Sequence, residues 1–192
     1  NNPDYVDIRV SGSEFDRDGL LWCVTSLVDN ALKSFNPESN SWQSYSLSDI
    51  IGDPFSNLGF RDLVIDNNQN KWLGSYGFGV IVVKTEGALV FKNLKGDDDN
   101  MPSDDVRAIK LDNRNQLWIG TSQGLRVLFN PESLFTEEDV QAREIIIVDD
   151  GIPRELLFQQ WVSDIEVDGS NNKWIGTLTT GLFYFSENGQ ET

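Results

Sequence analysis

The 192-residue sequence contains no histidine and a single cysteine, Cys23. Without histidine the chain cannot form Ser-His-Asp or Cys-His catalytic groups, the common zinc sites, or a side-chain proton shuttle that titrates near neutral pH. A single cysteine excludes an internal disulfide, and with no histidine to activate it we expect Cys23 to be a buried core residue. The sequence therefore predicts no catalytic residue, no bound metal and no cofactor.

Basic residues are also scarce. The chain has 15 Lys and Arg against 31 Asp and Glu, and its formal net charge is −16. Because no basic stripe offsets this charge, a phosphate backbone would be repelled, and we expect no nucleic-acid partner. Long apolar runs are missing too. The longest aliphatic runs are residues 80–83 and 145–148, far short of the roughly 20 residues of a membrane-spanning helix, so no transmembrane segment is predicted.

The remaining composition indicates a folded protein. Apolar residues make up 39% of the chain and aromatic residues 11%, which is too rich for a disordered acidic segment. The chain opens on Asn1, Asn2, Pro3 and Asp4 without a methionine, from which we expect a processed product or a piece of a longer protein. Acidic pairs such as Asp104 and Asp105 lie on opposite faces of a strand or in loops, so we expect no convergent strand-borne carboxylates.

An internal repeat is the strongest signal in the sequence. Four segments each place an Asp six residues before a Trp, and the Trp residues are spaced by 50, 46 and 56 positions. The four pairs are Asp16 and Trp22, Asp66 and Trp72, Asp112 and Trp118, and Asp168 and Trp174. A unit of about 50 residues that recurs four times is typical of propeller blades.

Each unit is interpreted as antiparallel strands. An alternating strand precedes the Asp, an Asp/Asn/Gly turn follows it, and a second strand carries the Trp. Third strands begin near Gly79, Gly124 and Gly181, and the predicted fourth strands are residues 41–45, 88–91 and 144–148. The sequence thus predicts an all-β propeller with blades at about 1–50, 51–96, 97–149 and 150–192, the last without its outer strand.

Two forms of ring closure are open. We favour an arc of a larger propeller of about seven blades over a closed ring of four, because unit four stops after its third strand. Residues 1–12, where Val6, Ile8 and Val10 alternate, either complete a blade or begin unit one.

The repeats resemble the two-component-regulator propeller family. Residues 112–125 and 168–182 are similar to its consensus Asp-x-x-Gly-x-Leu-Trp-Ile-Gly-Thr followed by Gly-Leu, and residues 101–109 match its Leu-Pro-Ser-Asn-x-Val lead-in. Unit one departs with Cys23-Val24-Thr25, and unit two with Leu73-Gly74-Ser75. The resemblance implies a propeller over nearly the whole chain.

A closer resemblance comes from the segments between the repeats. Residues 28–34, 75–79, 149–157 and 164–177 are similar to the PorZ-type propeller proteins of the type IX secretion machinery of Bacteroidetes. That resemblance implies a longer protein with two propellers and a sorting domain, located at the cell surface or in the periplasm of a Gram-negative bacterium. It also implies membership of the complex that attaches secreted cargo to lipopolysaccharide. With a charge of −16, contact with lipopolysaccharide requires neutral sugars, bridging cations or other parts of the protein.

The repeated residues have structural interpretations. We expect the four tryptophans, Trp22, Trp72, Trp118 and Trp174, to pack between neighbouring blades, with a direct functional role as the alternative. Asp66, Asn68 and Asn70 follow the first half of a calcium loop, but Lys71 replaces the required Gly and Gly77 the required Glu. We therefore expect hairpin turns there.

Candidate binding residues are apolar side chains in loops of one rim. Tyr76 and Phe78 lie between second and third strands, and Phe158 and Trp161 precede the first strand of unit four, as Phe55 precedes that of unit two. Such aromatics stack on sugar rings or anchor a protein partner, or they fasten the loops to the blades. The long link at residues 131–143 is interpreted as an interaction loop or a mobile acidic insertion.

Three functions are compared. The first is a non-enzymatic assembly module with protein partners of a secretion machinery and with lipopolysaccharide glycan on the aromatic rim. The second is the extracytoplasmic, glycan-sensing domain of a hybrid two-component kinase, a signalling assembly. A propeller enzyme ranks last because both histidines and convergent strand-borne carboxylates are expected to be missing.

Overall fold

The computed structural model describes residues 9–51 and 59–187. Five antiparallel sheets account for the strands of this part of the chain, which confirms the all-β prediction. The proposed strand residues Val6 and Ile8 and the candidate loop residue Phe55 lie outside the described residues. No helix of the described part is long and apolar enough to cross a membrane.

The first two blades are four-stranded meanders. In each blade the strands are hydrogen-bonded in chain order. Blade one contains β1 (Val10–Phe15), β2 (Leu21–Thr25), β3 (Leu32–Asn36) and β4 (Ser41–Tyr45), and the short helix α1 (Ser48–Ile51) follows it. Blade two contains β5 (Phe60–Ile65), β6 (Lys71–Ser75), β7 (Val80–Lys84) and β8 (Val90–Leu94). The outer strand predicted at 88–91 therefore begins two residues and ends three residues further along the chain.

Blades three and four each have three described strands. Blade three contains β9 (Val106–Leu111), β10 (Leu117–Thr121) and β11 (Gly124–Leu128), and the helix α2 (Ser133–Thr136) follows it. Blade four contains β14 (Val162–Val167), β15 (Lys173–Thr177) and β16 (Leu182–Phe185). Between the two blades lies a separate hairpin of β12 (Ile146–Asp149) and β13 (Ile152–Glu155).

The predicted outer strand of unit three, residues 144–148, is wrong. Strand β12 pairs with β13 instead of β11, because Asp150 and Gly151 both adopt left-handed backbone and turn the chain back on itself. Beside β11 there is only an isolated bridge between Val127 and Arg143. Blade three is consequently completed by a link rather than by a regular fourth strand.

That link, residues 131–143, is a packed segment rather than a mobile loop. Leu134, Val140 and Ala142 are buried in the cluster that also contains Trp72 and Ile109. The segment therefore covers the outer side of the interface between blades two and three, which corrects the interpretation as a mobile insertion, while the interaction loop stays a prediction.

Three hydrophobic clusters lie at the junctions between successive blades. One joins blades one and two around Trp22 and Leu63. A second joins blades two and three around Trp72 and Ile109, and a third joins blades three and four around Trp118 and Ile165. Each inner blade thus contributes one face to each of two clusters, which is the packing expected of a propeller.

Candidate functional site

Each Asp/Trp pair closes a hairpin turn between the first and second strands of a blade. In blade two, Asp66 Oδ1 accepts hydrogen bonds from the backbone N–H groups of Asn68 and Asn70, and Oδ2 accepts from the Trp72 indole at 2.8 Å. The indole bond recurs in the other three blades at 2.7, 3.3 and 3.2 Å. The six-residue offset therefore lets one carboxylate satisfy both the turn and the buried indole.

A second contact of the turns joins neighbouring blades. In each pair of neighbouring blades, the backbone N–H of the residue after the turn Asp donates to a side-chain amide oxygen of the next blade. The three bonds are Arg17 N to Gln69 Oε1 at 3.0 Å, Asn67 N to Asn115 Oδ1 at 3.1 Å and Asn113 N to Asn171 Oδ1 at 2.8 Å. All three amide residues adopt left-handed backbone. We call this contact the amide clip and this end of the molecule the turn rim.

Lysine covers the tryptophan of the preceding blade at two of the three junctions. Lys71 Nζ lies 4.1 Å from the centroid of the Trp22 ring, and burial is the main reason why its pKa is lowered. Lys173 Nζ lies 4.8 Å from the Trp118 ring and 3.0 Å from Asp112 Oδ2. Burial raises the pKa of Asp112, but the Gln116 N–H and Lys173 outweigh it and the net pKa is lowered.

The first strands of the four blades line a central cavity of about 480 Å³. Its lining includes four carboxylates, from Glu14, Asp62, Asp164 and Glu166. The expectation of no convergent strand-borne carboxylates is therefore wrong. The four residues come from the first strands of three different blades. Only the side-by-side arrangement of the blades brings them together.

Two of these carboxylates also join blades. Glu14 Oε2 accepts a hydrogen bond from the Ile65 N–H at 2.8 Å, and Asp62 Oδ2 accepts from the Ile109 N–H at 3.4 Å. Burial raises the pKa of both groups more than these bonds lower it. Both carboxylates therefore have a structural role, because each accepts a hydrogen bond from the backbone of the next blade.

The opposite end of the molecule, the loop rim, gathers the loops between second and third strands with the segments that precede each first strand. Backbone hydrogen bonds join them in every described case, for example Tyr76 N to Gly59 O at 3.0 Å and Leu178 N to Trp161 O at 2.9 Å. A Cβ on Gly59 would come within 2.4 Å of the Tyr76 ring, so glycine allows the ring to lie on the backbone.

On this rim, arginine and aromatic side chains alternate across blades two to four. Arg61 Cζ lies 4.7 Å from the centroid of the Tyr76 ring, and Arg107 Cζ lies 5.0 Å from the same ring. Arg107 Cζ also lies 4.4 Å from the Trp161 ring. The order Arg61, Tyr76, Arg107 and Trp161 forms one row, which we call the arginine–aromatic row.

Arg107 occupies the centre of this row. Its guanidinium forms an ion pair with Asp105, while Arg107 Nε and Asp105 Oδ1 are buried atoms with no hydrogen-bond partner. Arg61 and Arg107 each lie at the second position of the first strand of their blade, after Phe60 and Val106. That repeated arginine is a signal that could have identified the row in the sequence, but the sequence interpretation did not use it.

The two other predicted rim aromatics lie outside the row. Phe158 is 57% exposed and lines an open cavity of about 420 Å³ together with Asn100, Gln123, Arg126 and Gln159. Arg126 is held there by Glu155 Oε1 at 2.6 Å. Phe78 instead packs against the cluster between blades one and two. The rim aromatics therefore occupy three separate places, and their binding role stays a prediction.

Cys23 is buried, as expected, and burial raises the pKa of its thiol. The first three tryptophans are buried at blade junctions, whereas Trp174 is partly exposed.

Comparison with known proteins agrees with the resemblance inferred from the repeats. A family model described as two component regulator propeller matches residues 100–123. This segment contains the lead-in to blade three, the turn Asp112 and the tryptophan Trp118. No curated protein matches the chain significantly.

Solved structures confirm the propeller architecture. PorZ of Porphyromonas gingivalis, described as an essential bacterial surface component of the type IX secretion system, is 24% identical and superposes with a TM-score of 0.82 over 98% of this chain. The extracellular domain of the hybrid two component system BT3049 from B. thetaiotaomicron is 22% identical, with a TM-score of 0.64 over 92% of this chain. Virginiamycin B lyase from Staphylococcus aureus is 17% identical, with a TM-score of 0.58 over 94% of this chain.

The chain spans only part of these proteins. It covers 27% of the PorZ chain, 21% of the BT3049 chain and 56% of the lyase chain. The four blades therefore correspond to a segment of a longer propeller protein in each comparison.

Proposed function

We propose that this chain is a non-enzymatic assembly module of a type IX secretion cell-surface machinery, and that its loop rim binds a protein partner. The arginine–aromatic row carries this proposal. Arginine and large aromatic residues are the side chains most enriched at the energetic centres of protein interfaces, where they combine apolar area with hydrogen-bond donors. The row extends over three blades and so presents a surface rather than a cleft.

The charges of the row favour a partner with acidic or carbonyl groups. Arg107 lies between the Tyr76 and Trp161 rings, which hold its guanidinium in place. Such a preorganised guanidinium loses little conformational entropy on binding. The similarity to a bacterial surface component and to extracellular domains supports an extracytoplasmic location.

The proposal is tested by capture of partners from bacterial envelope extract. Affinity-tagged protein carrying Trp161→Ala or Arg107→Ala is expected to capture at least about tenfold less of the proteins that copurify with the wild type, because hot-spot truncations typically cost 2 kcal/mol or more. Quantitative mass spectrometry measures the loss. Trp42→Ala is the matched control, since Trp42 is an exposed tryptophan on outer strand β4. Equal capture by wild type and both rim variants would contradict the proposal.

A second candidate function rests on the cavity beside Phe158. An exposed aromatic ring in a cavity also lined by Gln123 and Gln159 offers stacking and hydrogen bonds of the kind that a neutral sugar ring uses. We propose this cavity as the place where lipopolysaccharide glycan, or the oligosaccharide of a hybrid two-component sensor, would bind.

Calorimetry with purified lipopolysaccharide oligosaccharide tests the glycan site. Phe158→Ala should abolish the binding heat, whereas Phe129→Ala should retain it, because Phe129 is also exposed but lies away from the cavity lining. Equal binding by both variants would exclude this cavity.

A further inference from the structure

The hairpin between blades three and four has one face against the protein and one face in solvent. On the inner face, Ile147 packs against the cluster between these blades. Side chains alternate along a strand, so Ile146 and Val148 lie on the other face of β12, where they are 55% and 73% exposed. Pro153 is directly opposite Val148 and is also exposed. We call Ile146, Val148 and Pro153 the hairpin face.

The same strand has a backbone edge without a neighbour. Leu156 N donates to Ile145 O at 2.8 Å, and bonded and non-bonded pairs alternate along an antiparallel hairpin. The register therefore places Ile146 and Val148 in non-bonded pairs, and their N–H and C=O groups point away from β13. No strand or loop within residues 9–51 and 59–187 pairs with this edge of β12.

The other edge of the hairpin, on β13, is closed. Pro153 has no N–H to offer to a further strand, and Glu155 O accepts a hydrogen bond from Phe158 N at 3.4 Å. Arg126 fastens this side of the hairpin to blade three, because its Nη1 donates both to Glu155 Oε1 at 2.6 Å and to Leu125 O at 2.8 Å. The hairpin is thus held in place with the edge of β12 turned outward.

We propose that β12 is a docking edge, to which an extended segment of a partner protein adds a third strand. The outward N–H and C=O groups of Ile146 and Val148 are complementary to another extended backbone. The hairpin face lies beside that edge and supplies apolar contacts for every second side chain of the added strand. The docking edge is separate from the loop rim, and the proposal does not rest on the function proposed for that rim.

Charge indicates that the occupant is a different protein with basic side chains. Residues 143–155 contain four acidic and two basic side chains, and one of the two bases, Arg154, is already paired with Asp149 at 3.5 Å. A second copy of this chain would bring the same acidic excess and a further net charge of −16, which opposes association. The occupant therefore combines apolar side chains at alternate positions with flanking Lys or Arg.

A synthetic peptide tests whether the backbone of β12 is used. The probe is a fluorescently labelled Lys-Val-Thr-Val-Thr-Val-Lys, and fluorescence anisotropy measures its binding to the full chain. Only alternate N–H groups of an added strand face its neighbour. N-methylation of the valines or of the threonines should therefore weaken binding at least about tenfold in one case and little in the other. Equal effects of the two N-methylated peptides would overturn the proposal.

Substitutions on the hairpin face test the place of binding. Ile146→Thr combined with Val148→Thr keeps β-branched side chains, and it should weaken binding of the probe about fivefold, because each apolar cross-strand contact is modest. Leu89→Thr is the matched control, since Leu89 is another exposed apolar residue, between β7 and β8, and it should bind as the wild type does. A double variant that also binds like the wild type would locate the peptide elsewhere and refute the docking edge.

Two further measurements test the identity of the occupant. A peptide with Glu in place of both Lys residues should bind at least about threefold more weakly at low ionic strength, and equal binding would contradict a basic partner. Sedimentation velocity should show a wild-type monomer at the concentrations of the binding assay. A dimer that Val148→Thr dissociates would instead identify a second copy as the occupant and overturn the proposal.

Discussion

The two rims of the molecule are built from the same strands, but the contacts repeat from blade to blade on the turn rim and vary from blade to blade on the loop rim. On the turn rim, every blade uses an Asp that binds its own turn and a Trp indole, and each junction between blades adds an amide clip. On the loop rim, the segments before the first strands differ in length and sequence from blade to blade, and the aromatic side chains occupy three separate places.

This difference indicates where stability and recognition reside. The turn Asp residues make the same kind of contact in each blade, and a substitution at Asp66 or Asp112 leaves a buried indole N–H without a partner. The loop rim carries partly exposed side chains whose removal costs little packing. We therefore expect substitutions on the turn rim to affect folding and substitutions on the loop rim to affect binding.

The largest expected effect breaks the turn of blade two. Asp66→Ala removes the acceptor for two backbone N–H groups and for the buried Trp72 indole, so we expect a loss of about 3 kcal/mol in the free energy of unfolding. Trp161→Ala on the loop rim should cost about 1 kcal/mol, since its ring is partly exposed and stacks on one guanidinium. Urea denaturation measures both; equal losses would remove the distinction between the rims.

A smaller effect isolates the amide clip. Asn115→Gly keeps a residue suited to left-handed backbone but removes the acceptor for the Asn67 N–H, and we expect a loss of about 1 kcal/mol. Asn40→Gly is the control: Asn40 is also left-handed but exposed in an outer turn, and its replacement should stay within about 0.5 kcal/mol. If both variants lose the same stability, backbone conformation rather than the clip explains the loss.

The smallest expected effect concerns pH. As pH falls, a turn carboxylate and a cavity carboxylate should change the free energy of unfolding in opposite directions. The folded pKa of Asp62 is raised from its ordinary value of 3.8, so the folded state binds the proton first as pH falls. Relative to Asp62→Asn, the wild type should therefore gain stability from its raised pKa down to 3.8. The folded pKa of Asp112 is lowered, so relative to Asp112→Asn the wild type should lose stability as pH falls from 3.8 to the lowered pKa.

Urea denaturation of the wild type, Asp62→Asn and Asp112→Asn between pH 7 and pH 3 measures how the free energy of unfolding of each protein changes with pH. The same sign for both pairs would show that turn and cavity carboxylates do not differ in their surroundings.

The sequence predicted the repeated features well and the contacts between repeats poorly. The offset from Asp112 to Trp118 identified the turn, the second strand and a buried ring, because all three depend on residues within one blade. Asp62 and Arg107 were missed, since their partners Ile109 and Trp161 lie in the next blade. The hairpin β12–β13 was misplaced because an apolar run such as Ile146 and Ile147 fits an outer strand and a separate hairpin equally well.

The position of the hydrophobic clusters has a consequence for how such a chain changes in evolution. Since the clusters lie at the junctions between blades, the outer turns belong to none of them, and a Cβ added at Gly87 in one such turn would meet nothing within 4 Å. Insertions and new chain termini are best tolerated at such exposed turns. Blade three illustrates this, because its outer strand is replaced by a long covering segment and a separate hairpin while the amide clips on both of its sides are intact.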